Sequence, residues 1–176
     1  LAGNETDCMI GYHSVSVLAD AIAKGYHTDT ALTLEAMRAT AEMDVFGLGA
    51  YQESGFLSIE DESESVSKTL EYAYDDACIA WTAERLGNLG MMSSYKQRAS
   101  AYRSLIDPES GFVRPRTNGD FLSPYAPQEV NNHFTEANAD QYSFSLLHDI
   151  EGWMEVLPNF RAAREEWNSL PRQHQA

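Results

Sequence analysis

Five stretches of this chain repeat apolar residues at the spacing of one helix face, and that pattern leaves little room for any fold but a helical one. From Met9 to Lys24, Val15, Leu18, Ala19 and Ile22 share a face, and Gly25 supplies the stop. From Thr28, the expected N-cap, Leu32, Ala36, Ala39 and Met43 draw a second stripe. A third helix is expected from Ser65 to Leu86, burying Val66, Leu70, Ala73, Ala77 and Trp81, with Gly87 as its cap. A fourth carries Met92, Tyr95, Ala99, Tyr102 and Ile106 and ends at Asp107-Pro108. The fifth runs from Ala137 to Val156 and buries Tyr142, Leu146, Ile150 and Trp153.

Short links join helices one to two and three to four, which predicts antiparallel helical hairpins. Two connections, Phe46 to Glu64 and Pro108 to Thr135, are too long to be plain linkers. Loops of that length inside a domain are usually functional. Stacked hairpins with aromatic-bearing loops at one end predict an all-α chain, part of an α/α toroid or solenoid with a binding face. The expected division is a helical body over 1–157 and a divergent, poorly ordered polar tail over 158–176.

Charge narrows the partners. Twelve basic against 27 acidic residues give a net charge of −15, a field that repels phosphate backbones and anionic lipid heads. Nucleic acid and membrane surfaces are therefore not expected as partners. No apolar run approaches the roughly 18–20 residues that span a bilayer, and no signal peptide pattern is present. The chain opens on Leu1 rather than Met, so a processed product or fragment is expected. Cys8 and Cys78 are too few for a disulfide scaffold or a zinc site, and are expected as buried free thiols.

Several chemical signatures are absent: a Gly-rich phosphate cradle, HExxH, CxxC, G-x-S-x-G and an EF-hand loop. The histidines at 13, 27, 133, 148 and 174 show no metal-ligand spacing. The acidic run Glu60, Asp61, Glu62 and Glu64 reads better as a solvated loop entering a helix N-terminus than as a calcium site. Asp75 and Asp76 are adjacent on a helix and so point about 100° apart. Asp76 shares a face with Tyr72 and Thr69, a face expected to meet solvent. Tyr72 beside a carboxylate is also a common way to hydrogen-bond a sugar. In the segment 131–142, Thr135 and Glu136 sit where a long loop enters a helix, with Thr135 the expected cap.

Four stretches then bear on family: GYHSVSVLADAIAKG (11–25), ESVSKTLEYAYDDACIA (64–80), DPESGFVRPRTNG (107–119) and FTEANADQYSFSLLHDIEG (134–152). In this order they closely resemble glycoside hydrolase family 92, the calcium-dependent α-mannosidases, from about Leu1 to Gly152. The resemblance implies a slice of a catalytic α/α toroid that packs against an N-terminal β-sandwich domain. It implies an inverting exo-α-mannosidase, of α-1,2 type, acting on terminal mannose of mannose-containing glycans, with Ca2+ helping to distort the sugar. Glu136, in the TE-A-N segment, takes the role of general acid. Gln141 becomes a candidate for metal- or sugar-side contact, foremost as a metal ligand, and Arg114 and Arg116 become candidates for sugar hydroxyls alongside Asp76 and Tyr72. Either arginine could instead pair with the chain's own surplus carboxylates.

Departures from the pattern are also visible. Asp140 stands where the family commonly has an aromatic residue, and the likeness thins after Trp153. The family's base lies in a Gly-Asn-Asp-Asp segment that this sequence lacks. The chain on its own is thus expected to turn over little or no mannoside, although the parent would. The alternative is a non-catalytic helical module that binds sugar or a partner. A different toroidal carbohydrate enzyme is the third reading. The family is typically periplasmic or secreted, and Asn4-Glu5-Thr6 is formally a glycosylation sequon. A slice of a toroid would leave apolar stripes unpaired, with self-association as the risk.

Overall fold

A computed structural model describes residues 9–26 and 29–156. In chain order these form α1 (Ser14–Ala23), α2 (Thr30–Ala41), α3 (Leu48–Ser54), α4 (Ser65–Arg85), α5 (Leu89–Arg98), a 3-10 segment (Ala101–Leu105), strands β1 (Arg116–Thr117) and β2 (Asp120–Phe121), α6 (Ala139–Tyr142) and α7 (Ile150–Val156). The described residues are all-α apart from that small antiparallel ribbon, in which Arg116 pairs with Phe121 across the Asn118-Gly119 turn. His27, the expected cap Thr28, Cys8 and the expected tail lie outside the described residues. No described helix is long and apolar enough to cross a membrane.

The organising element is α4. One core cluster gathers Val15, Ala19, Met37, Tyr51, Leu57 and Tyr72, and a second gathers Val66, Leu70, Tyr102, Val113, Phe134 and Trp153. Because α4 contributes to both, most of its circumference is buried, including Ser67, Thr69, Asp75, Asp76 and Thr82. Burial stops at its outer stripe, where Trp81, expected inside, is 41% exposed.

Helix boundaries depart from the apolar spacing for identifiable reasons. α1 begins at Ser14, not Met9, because Gly11 turns the chain at φ 88 and the Tyr12 N–H donates to Asp75 Oδ2 rather than into a helix. α2 is capped by Asp29, which accepts from the Leu32 N–H. It buries Thr33, Met37 and Ala41, while the expected stripe faces outward and leaves Leu32 62% exposed. Thr33 is tolerated inside because its hydroxyl donates back to the Asp29 carbonyl and presents a methyl to the core.

The first long connection is not wholly irregular. It contains α3, set between Gly47 and Gly55, both in the left-handed region. The fourth expected helix divides after Arg98, because the Ala99 carbonyl is taken by His148 Nε2 at 2.9 Å instead of continuing the ladder. Burial pushes the His148 pKa down, in keeping with a neutral ring in that role. The fifth expected helix also divides. Ser143 is fully buried and its Oγ accepts the Val113 N–H, and Asp149 then restarts the helix by accepting from the Gly152 N–H. Ile150, expected inside, faces outward.

Candidate active site

The loop that carries Glu136 is fastened to the first turn of α4. The first N–H groups of a helix have no partner within it, and here two of them reach the loop. The Glu64 N–H donates to the Asn132 carbonyl at 2.7 Å and the Val66 N–H to the His133 carbonyl at 3.2 Å. Ser67 adds a side-chain tie, its Oγ accepting the Thr135 N–H at 2.9 Å. On the other side, the Tyr142 hydroxyl donates to the Thr135 carbonyl at 3.2 Å. Phe134, buried against Tyr142, anchors the turn from below.

Glu136 therefore projects from a fixed backbone, exposed, with φ at 53. A non-glycine residue in that region costs roughly 1–2 kcal/mol, and such strain gathers at functional sites. Thr135 is not the helix cap. Asn138 caps α6, accepting from the Gln141 N–H at 3.1 Å, while Gln141 Oε1 accepts from the Asn138 N–H at 3.2 Å in a capping box. The Thr135 hydroxyl is buried next to Glu136 and has no partner.

Gln141, the candidate for metal- or sugar-side contact, has its amide oxygen engaged in this capping box. Calcium takes six to eight oxygens, mainly from carboxylates. Among the described residues no group of three or more His, Cys, Asp or Glu could hold a metal ion. The described residues thus do not by themselves complete a shell for the ion that the family resemblance implies. The acidic run is likewise no cation site: Glu60 accepts from the Thr117 hydroxyl and the Asn118 N–H, tying this loop to the β-ribbon.

Arg114 and Arg116 differ in their surroundings. Arg114 donates to Asp107 Oδ2 at 3.0 Å and to the Leu122 carbonyl at 2.8 Å, with its guanidinium over Tyr125. It is thus a loop-stabilising pair with one of the chain's own carboxylates. Burial pushes the Asp107 pKa up, but the Glu109 amide, the Ser110 hydroxyl and Arg114 outweigh it and hold the carboxyl below its ordinary range. Arg116 lies over Phe121 and Phe56, at 4.3 and 5.1 Å from the ring centroids, and its Nε is buried without a partner.

Asp76 and Tyr72, expected on a solvent-facing, sugar-binding rim, lie in the core instead. Asp76 has no exposed surface and accepts from the Tyr12 hydroxyl at 2.7 Å, the Tyr51 hydroxyl at 3.0 Å and Arg98 Nε at 2.9 Å. Burial raises its pKa to about 6 despite Arg98. The Tyr72 hydroxyl donates to the Phe46 carbonyl at 2.7 Å. The physical reason is the one above: elements cover both sides of α4, so its polar face is interior.

Asp75 points away from Asp76, as the helical geometry requires, and meets it through Tyr12, which bonds both. It accepts from the Tyr12 N–H and lies 2.7 Å from His13 Nδ1, while His13 Nε2 lies 3.4 Å from Glu71 Oε2. No motif in the sequence joins His13 to Glu71 or Asp75. The signal was the glycine two residues before His13, which folds the imidazole back onto α4. Cys78 is a free thiol, only partly buried, with its pKa pushed up to about 11 by burial.

Comparison with known proteins now adds lineage to geometry. A search of curated proteins returns no match. Among solved structures, a family GH92 α-mannosidase from Bacteroides thetaiotaomicron superposes with TM-score 0.87 at 41% identity, covering 96% of this chain and 23% of that one. Its complex with mannoimidazole gives 0.86 at 39% identity, over 96% of this chain and 24% of that one. A family GH92 inverting mannosidase from Bacteroides thetaiotaomicron VPI-5482 gives 0.86 at 34% identity, over 92% and 24%. The chain thus spans about a quarter of the length of these relatives. The model of the glycosyl hydrolase family 92 catalytic domain matches residues 1–174, nearly the whole sequence, and the chain belongs to that family.

Proposed function

We propose that this chain is part of an inverting exo-α-mannosidase, of α-1,2 type, that removes terminal mannose from glycans, and that Glu136 is its general acid. The observation that carries the reading is Glu136 itself, an exposed carboxyl on a strained residue whose neighbour is tied on both sides. Membership of the family and likeness to two mannosidases support the substrate class.

Inversion needs a protonated carboxyl at the glycosidic oxygen and a carboxylate base opposite, about 6.5–9.5 Å away, to activate water. In this reading Glu136 delivers its proton to the departing oxygen as the bond to the sugar breaks. Asp140 stands where the family commonly has an aromatic residue, four positions after Glu136. Arg116 is the better placed arginine to meet sugar hydroxyls, because Arg114 is engaged by Asp107 and Leu122. No step is assigned to calcium, since the described residues offer it no shell.

The test is Glu136→Gln in the intact enzyme, assayed on mannosides with poor and with good leaving groups. Loss of general acid catalysis costs about 10²–10⁴-fold. That loss is expected on unactivated mannosides, with a much smaller one where the leaving group needs no proton. Wild-type rates on both would sink the assignment.

A further inference from the structure

We propose that Ser67 is a positioning residue for Glu136, acting through the Thr135 amide. This rests on the reading of Glu136 as the acid. Ser67 is fully buried in the first turn of α4, 68 positions away from Thr135 in sequence, and its Oγ is the acceptor that the Thr135 N–H finds.

The other hydrogen bonds between α4 and this loop run through backbone atoms of Glu64, Val66, Asn132 and His133, and Tyr142 reaches Thr135 from the carbonyl side. Ser67 thus supplies the side-chain acceptor on the amide side, one peptide before the acid. Removing its oxygen leaves the Thr135 N–H without an acceptor in a confined place, which native structures avoid. The backbone then has a reason to turn, and the residue that moves with it is Glu136, already held at φ 53. A misplacement of about 1 Å in a reacting group can cost 10²-fold.

Ser67 touches no reacting atom in this account; it fixes where the acid's Cα sits and which way its carboxyl points. The effect should therefore fall on proton delivery and spare sugar binding. A merely structural serine would instead lower yield or stability and leave the kinetic pattern alone.

The experiment compares Ser67→Ala, Ser67→Thr and Tyr142→Phe with Glu136→Gln in the intact enzyme. For Ser67→Ala we expect kcat on poor-leaving-group mannosides to fall about 10- to 100-fold, KM to stay within about twofold, and rates on activated aryl mannosides to stay near wild type. Ser67→Thr, which keeps the oxygen, should restore most of the loss. If Ser67→Ala does not fold, Tyr142→Phe removes the opposite tie and carries the same expectation. Equal losses on both substrate types, or none, overturn the proposal when Glu136→Gln still separates them. If Glu136→Gln itself fails to separate them, the acid assignment falls and the positioning role falls with it.

Discussion

Arg98 Nε meets Asp76 Oδ2 at 2.9 Å across the α4–α5 interface, with Asp76 wholly buried and the arginine largely so. Two tyrosine hydroxyls complete the carboxylate's shell. Cutting a buried pair leaves its partner uncompensated, typically at a cost of about 3–5 kcal/mol. Asp76→Ala should lower stability by that order in urea unfolding. Asp76→Ala with Arg98→Met should cost clearly less than the two single changes added together. Additive losses would mean that the pair is not coupled.

Stability should also fall as pH rises above mid-acid values. Asp76 ordinarily titrates at 3.8, and burial lifts it to about 6, so between those values the folded chain keeps a proton that the unfolded chain has released. The His13 pKa is raised above its ordinary 6.5, first by its hydrogen bond to Asp75. Its contribution is full below 6.5 and is lost as pH climbs through the folded value. On the acid side the signs reverse. Asp107 and Asp149 have lowered pKa values, because their hydrogen bonds outweigh burial, so their contribution is lost as pH falls through those values. Urea midpoints against pH should show these limbs, and His13→Gln should flatten the one above 6.5.

Much of this was legible in the residues. Gly25 and Gly87 end helices as their position predicts, and the stripe Val66, Leu70 and Ala73 is buried. What the spacing could not convey was how many neighbours a helix has. Thr69, Tyr72 and Asp76 look like a solvent face until packing on both sides of α4 closes over them. Helix breaks at Ala99 and Ser143 were hidden for a related reason, since each depends on a partner 49 or 30 positions away. In the candidate site, Glu136 stands out by its motif, whereas the contacts of Ser67 and His13 depend on partners 68 and 62 positions away.

Backbone strain at Glu136 can be tested apart from catalysis. Glycine adopts positive φ without the steric cost, though it has more freedom to lose on folding. Glu136→Gly should leave stability unchanged or raise it by up to ~1 kcal/mol. A clear loss of stability would show that the glutamate side chain itself holds the loop.

Gln141 offers a direct contrast between capping and metal binding. Gln141→Ala should cost about 1 kcal/mol, as loss of a helix cap does. Calorimetric titration with Ca2+ should give the same result for the variant as for the wild type. A weakened calcium response would restore the ligand role.

Arg116 lies over two rings, and lysine cannot stack as a planar guanidinium does. Arg116→Lys should lower stability by about 1–2 kcal/mol, read in the same urea titration, and Phe56→Leu should remove part of that difference. Equal stability of arginine and lysine forms would deny the rings any role.

The tie between Ser67 and Thr135 also orders events in time. Joining α4 to α5 needs only the Leu86–Asn88 link, whereas that tie closes a loop of 68 positions. Near contacts form before distant ones, because the entropy of closing a long loop must be met first. The helices should accordingly assemble ahead of the clamp, and in a refolding chain the segment around Glu136 would be the last to reach its final position.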